Sequence, residues 1–247
     1  MALLESFEKN GQFLFRWRGH IPLIFILLAI PLLHFELAYF QRMPYQTNYI
    51  LFAIAIVFAF LGHFFRVLTV GRRHLQSSGR NRSHQVAAQL NTLDMYSIVR
   101  HPLYFGNFLI WVGLVIFLGH FWFGILVLFS YLWYYEKIMF TEENFLRTKF
   151  GKAYLDWSEN VPAFFPKWLN YKSSGKSWSW RIAAKNEYPG LISTLSTFWF
   201  IAVMKFCLIN NTILPSDELI FSACLIFLFG VTMKGIKRYS GIFHKDD

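Results

Sequence analysis

Apolar stretches close to the width of a bilayer recur along this chain. Six of them, at 21–40, 48–70, 103–118, 121–140, 191–209 and 219–235, carry few ionisable side chains. About 20 helical residues cross a ~30 Å hydrocarbon core. A soluble domain carries roughly 25% charged residues; here they are 15% of 247, against 55% apolar. The sequence therefore predicts an all-α membrane protein with about six transmembrane helices. Only Gly119 and His120 separate the third stretch from the fourth, which forces a tight antiparallel helical hairpin of spans three and four.

The formal charge is +10, and its distribution reads as topology and attraction to anionic lipid rather than as a nucleic-acid footprint. Arg72, Arg73, Arg80, Arg82 and Arg100 fall between spans two and three. Arg147, Lys149, Lys152, Lys167, Lys172, Lys176, Arg181 and Lys185 fall between spans four and five. Lys237, Arg238 and Lys245 close the chain, and the opposite side has Arg42 and little else. Cations accumulate in cytoplasmic loops, so both termini and the long loops are expected there, in a multi-pass protein whose first span is retained. Cys207 and Cys224 both lie in apolar segments and imply no disulfide framework.

The loops differ in character. Ser77-Ser78-Gly79 reads as a turn and 83–90 as a short helix. Segment 141–159 is expected to continue span four as an amphipathic helix, with Pro162 and Pro166 ending it. Segment 170–188 is basic and aromatic, with Trp178 and Trp180 suited to the headgroup layer.

Two polar blocks flank the hairpin on one side. The first is Arg100-His101-Pro102-Leu103-Tyr104-Phe105-Gly106; the second is Glu142-Glu143-Asn144-Phe145-Leu146, followed by Phe150-Gly151 and Tyr154. Pro102 suits the first turn of a helix, and Gly106 permits close backbone approach. Arg100, His101 and Tyr104 offer donors near a helix N-terminus, which favours anionic groups. Glu142 and Glu143 end the partner helix, so donors and carboxylates should face each other across one helix diameter. Such a pocket suits a ligand with cationic and anionic ends. Separately, each block has a plain reading, Arg100-His101 as an anchor and Glu142-Glu143 as a solvated face. Their combination is too constrained for anchoring alone.

Together the blocks resemble the isoprenylcysteine carboxyl methyltransferase and phospholipid methyltransferase superfamily of membrane enzymes. The resemblance runs from about residue 81 to 166 and ends in Val161-Pro162-Ala163-Phe164-Phe165-Pro166. It implies an enzyme with a cytoplasmic S-adenosylmethionine site, acting on a lipid or lipidated acceptor from the bilayer. The cofactor contacts it implies are Tyr96, His101, Pro102, Leu103, Tyr104 and Glu142, with Ala88-Gln89-Leu90-Asn91 matched by spacing and Gly106 grouped with them. Arg100 is the candidate to orient an acceptor oxyanion, or to grip the cofactor carboxylate, and Glu143 is the candidate base for an amine acceptor. No metal is called for. Two positions depart from the family pattern. Asp94 stands where a glycine is usual, two residues before Tyr96. Ile138, beside Lys137, stands where the prenylcysteine enzymes place a substrate-holding arginine.

The leading expectation is methyl transfer to a membrane acceptor, with an anionic headgroup (phosphate or carboxylate) favoured over an amine. Membrane sterol reductases share a His-Pro-x-Tyr-Phe-Gly element and bind NADPH, but continue with Glu where Asn107 stands here. A non-catalytic scaffold is the third class. The expected division is a core at 1–188 and a two-span extension at 189–247. Among polar residues in the spans, His34 and Glu36 read as interfacial. Arg66, near His63, would either snorkel or hold an anionic substrate. Glu136 and Lys137 read as a local pair, and Lys205 as snorkelling.

Overall fold

The computed structural model describes residues 3–35, 45–72, 87–240 and 242. Its regular elements are α1 (Leu3–Trp17), α2 (Ile21–Phe35), α3 (Tyr45–Gly71), α4 (Met95–Ile98), α5 (Pro102–Leu118), α6 (Phe121–Phe150), α7 (Lys152–Ser158), a 3-10 turn (Trp168–Asn170), α8 (Trp180–Ile209) and α9 (Asp217–Tyr239). The all-helical expectation holds for these elements. Among the described residues, three helical stretches are long and apolar enough to cross a membrane: Asn48–Gly71, Trp180–Ile209 and Asp217–Tyr239. α5 is apolar but shorter. The expectations for Glu36, Arg42, Arg73, Ser77-Ser78-Gly79, Arg80, Arg82, residues 83–86 and Lys245 lie outside the described residues.

The hairpin forms as its sequence dictates. Gly119 takes the left-handed conformation at φ 80°, its N–H donating to the Val115 carbonyl and closing α5. His120 then opens α6, its Nδ1 accepting from Phe123 N–H at 3.1 Å.

Small residues bring α3 and α5 into backbone contact. A Cβ on Gly113 would stand 2.5 Å from the Ala55 carbonyl oxygen, and one on Gly106 2.9 Å from that of Gly62. Close approach of this kind is the usual packing device where lipid removes the hydrophobic drive between helices. Ala55, Ala59, Ile110, Leu114 and Val127 fill the interior beside the seam.

Several boundaries differ from expectation. The segment after span four is not one helix: α6 runs to Phe150, and Gly151 at φ 53° breaks the chain before the short α7. Residues 87–90 are not helical. α8 begins at Trp180, inside the segment read as a headgroup-layer loop, because Ser179 caps it by accepting from Ile182 N–H. It runs unbroken through residue 188 and packs on α3, where His63 Nε2 lies 3.0 Å from the Thr194 hydroxyl.

Other polar side chains in the apolar helices find partners inside the protein. Lys205 does not snorkel; its Nζ donates to the Phe117 carbonyl at 2.5 Å, capping the end of α5. Lys137 lies 3.6 Å above the Trp133 ring instead of pairing with Glu136. The N-terminal charges belong to an amphipathic helix that no motif announced. α1 lies on α6, with Gly11 pressed against Thr141 and the Lys137 carbonyl, and Phe15 buried among Tyr131, Tyr134, Tyr135 and Ile138.

Candidate active site

One end of the bundle gathers both blocks. Pro102 occupies the first position of α5, and the 161–167 segment fixes the strand of chain before it. Arg100 N–H donates to the Pro162 carbonyl at 2.9 Å, His101 N–H to Ala163 at 3.2 Å, and Lys167 N–H to Ile98 at 2.9 Å. The Val-Pro-x-x-x-Pro segment therefore holds the chain that leads into α5 through paired backbone groups.

Across the gap, α6 supplies two carboxylates to three donors. The Tyr104 hydroxyl donates to Glu142 Oε1 at 2.7 Å. His101 Nε2 lies 2.9 Å from Glu143 Oε1, and its Nδ1 3.5 Å from Glu142 Oε2. Arg100 Nε stands 3.3 Å from Glu143, near enough for charge attraction but out of line for a hydrogen bond. Arg100 Nε and the Tyr154 hydroxyl are both buried without a hydrogen-bond partner among the described residues. Donors so placed can donate to a ligand oxyanion.

The electrostatics favour an ion pair. Burial disfavours the imidazolium of His101, but hydrogen bonds to Glu142 and Glu143 outweigh it and raise His101 above its ordinary value. Burial likewise disfavours the Glu143 carboxylate, yet His101 and Arg100 hold it below the usual range. A raised histidine stabilises the fold below its unfolded value of 6.5, and that stability is lost as pH rises through the folded value. A depressed glutamate stabilises above its unfolded value of 4.5 and loses this as pH falls through the folded one. The thermal stability gap between the wild type and His101→Gln in detergent should therefore be widest between about pH 4.5 and 6.5. A gap that stays flat across pH 4–9 would contradict the pairing.

Of the residues singled out in the sequence, Arg100, His101, Tyr104, Glu142 and Glu143 thus converge. Pro102 is fully buried and contributes geometry. Leu103 presents its carbonyl to Arg66 at 3.4 Å. Gly106 faces α3, where a Cβ would meet Arg66 Cγ at 2.6 Å, so it lets the two helices pack closely. Leu90 lies in the irregular segment ahead of α4. Tyr96 is on α4, its carbonyl accepting from Trp157 Nε1 at 3.2 Å.

Several supporting residues carried no sequence signal. The Tyr131 hydroxyl donates to the Tyr104 carbonyl at 2.8 Å, and the Tyr135 ring packs 4.7 Å from that of Tyr104. These tyrosines read as part of an apolar span. Glu187 was equally silent, placed among basic residues, yet its two carboxylate oxygens accept from Arg66 Nε at 2.7 Å and Nη2 at 2.9 Å. Arg66 also donates to Asn107 Oδ1 at 2.6 Å.

Asp94 explains one departure from the family pattern. Its backbone lies at φ 56°, ψ −127°, a conformation that favours glycine. Its side chain offsets the strain: Oδ1 accepts from Ser174 N–H at 3.2 Å, Arg72 at 3.3 Å and Tyr171 at 3.4 Å. Asp94→Ala loses these bonds and keeps the strain, so a cost of about 2–3 kcal/mol is expected. Asp94→Gly should cost less. Thermal melts of the pair test this order, which reverses the usual preference for alanine.

Residues 46–153, from the start of α3 into α7, match the family described as phospholipid methyltransferase. Over 127 residues the chain is 31% identical to a protein-S-isoprenylcysteine O-methyltransferase of Schizosaccharomyces pombe. This stretch is similar to phospholipid and isoprenylcysteine methyltransferases. The similarity covers 49% of this chain, and the chain spans about half the length of that relative, 50%. No solved structure matches the chain. In the matched segment Ile138 is fully buried. Beside it, Lys137 lies over the Trp133 ring.

Proposed function

We propose that this chain transfers a methyl group from S-adenosylmethionine to an oxyanion on a lipid or lipidated acceptor at the membrane surface. The observation that carries this reading is the pairing of Tyr104 with Glu142 beside the His101–Glu143 ion pair, at one end of an apolar hairpin.

The donor set fits the cofactor. Glu142 suits the ammonium of an amino-acid moiety, and Arg100 and the Tyr154 hydroxyl, beside Glu143, suit a carboxylate or an acceptor oxyanion. Tyr96, Pro102 and Leu103 complete the expected contacts. When bound, the sulfonium supplies an activated methyl group for in-line displacement. The protein's share is to align the two reactants and keep water out.

The state of Glu143 bears on the acceptor. A carboxylate held ionised by His101 and Arg100 is a weak base, which disfavours an ammonium acceptor that must first lose a proton. A phosphate or carboxylate needs no base. Prenylcysteine, the acceptor in the relative's name, would need a cation other than residues 137 and 138, and Arg100, beside Glu143, is a candidate. The six-span layout, with both termini and the site on the cytoplasmic side, completes the proposal.

Purified protein should be stabilised in a thermal-shift assay by S-adenosylhomocysteine and not by NADPH. The reverse result would replace methyl transfer by reduction. Lipid extracts from cells with and without the gene should differ by species one methylene mass apart. Labelled methyl appearing only in aminolipids would refute the oxyanion preference.

A further inference from the structure

α8 and α9 pack antiparallel. Trp199 Nε1 donates to the Leu219 carbonyl at 2.7 Å, Gly230 faces Ile192, and Lys237 lies 5.9 Å from the Tyr188 ring centre. Along this seam runs a groove of about 580 Å³, walled by Ile192, Trp199, Phe200 and Phe227 and reaching Lys234. Glu187, Thr194 and Phe198 are buried on the face of α8 turned toward α3 and α5, where they meet Arg66, His63 and Phe117. The groove is therefore on the other side of α8 from the motif residues.

Length and charge say what it takes. From Ala223 to Lys234 the helix rises roughly 16 Å at ~1.5 Å per residue, close to the ~15 Å of hydrocarbon in one leaflet. The cations Lys237 and Arg238 follow Lys234 in the last turn of α9, while its carboxylates Asp217 and Glu218 sit at the far end. That basic end is level with the motif residues, since α9 ends beside the start of α8, and Ser179 there donates its N–H to the Gly71 carbonyl at the end of α3.

We propose that the α8–α9 groove binds one anionic phospholipid of the motif-side leaflet, with an acyl chain along the Trp199–Phe227 wall and the phosphate on Lys234. Apolar walls accept any acyl chain. The lysine at the mouth, with two further cations behind it, selects net negative charge.

Native mass spectrometry of the full chain, released from bilayers of equal phosphatidylglycerol and phosphatidylcholine, reads the retained lipid without requiring turnover. One phosphatidylglycerol per chain is expected. Lys234→Gln should weaken its retention about fivefold, and Lys234→Arg should preserve it. Ala223→Phe, which fills the far end of the groove and leaves the charge in place, should also expel the lipid. Equal retention of both lipids, or full retention by Lys234→Gln, overturns the site. Loss in Lys234→Gln with none in Ala223→Phe overturns the groove, since surface charge alone would then hold the lipid.

Discussion

Glu142→Gln is expected to lower methyl transfer and S-adenosylhomocysteine affinity by about 10- to 100-fold. Glu142 receives the Tyr104 hydroxyl at 2.7 Å and faces His101 Nδ1 at 3.5 Å. Amidation keeps its shape and removes the charge. Hydrogen bonds to a charged group are worth about 1.5–3 kcal/mol, which converts to that range. Tyr104→Phe removes one arm of the same contact and should fall nearer tenfold. Calorimetric titration of the purified variants separates binding from folding, provided each melts within a few degrees of the wild type. Unchanged affinity in Glu142→Gln would remove this carboxylate from the donor site.

Arg66→Ala should be the most destabilising single change, at about 3–5 kcal/mol, because it strands a buried carboxylate. Glu187 is 7% exposed and Arg66 17%, so solvent relieves little of that cost. Replacing both by apolar residues, Arg66→Met with Glu187→Leu, should recover most of the stability, since a well-packed apolar pair often equals a buried ion pair. Donor binding should not recover with it. Arg66 also holds Asn107 and the Leu103 carbonyl, in the opening turns of the helix that carries Tyr104. Chemical denaturation of the two singles and the double, read beside S-adenosylhomocysteine affinity, tests both statements. A double variant that regains full affinity would leave the pair as packing alone.

The Arg66–Glu187 pair also marks the limit of what the sequence makes legible. Arg66 stands out because a charge inside an apolar span is costly and needs a reason. Glu187 does not, because its neighbours Lys185, Asn186 and Tyr188 resemble a solvated loop, and nothing local records that α8 has already begun. The same blindness hides α1. Its apolar face is complementary to α6, and that match exists only once the two helices lie together. Gly106 shows the converse. Its need for close approach is legible, but only the folded chain shows that α3 is the neighbour that comes close.

Local chemistry by itself settled the class of fold, the hairpin and the polar face of the site. Span length, the Gly119-His120 turn and the two blocks at one end of the apolar pair are each short-range properties, set by bilayer thickness and helix geometry. What depended on the folded chain was which charges neutralise each other. His101 with Glu143, Arg66 with Glu187 and Asp94 with Arg72, Tyr171 and Ser174 join residues far apart in sequence. Only helix packing brings such partners within a few ångströms, and at that range, shielded from water, a charge must be matched or is not tolerated.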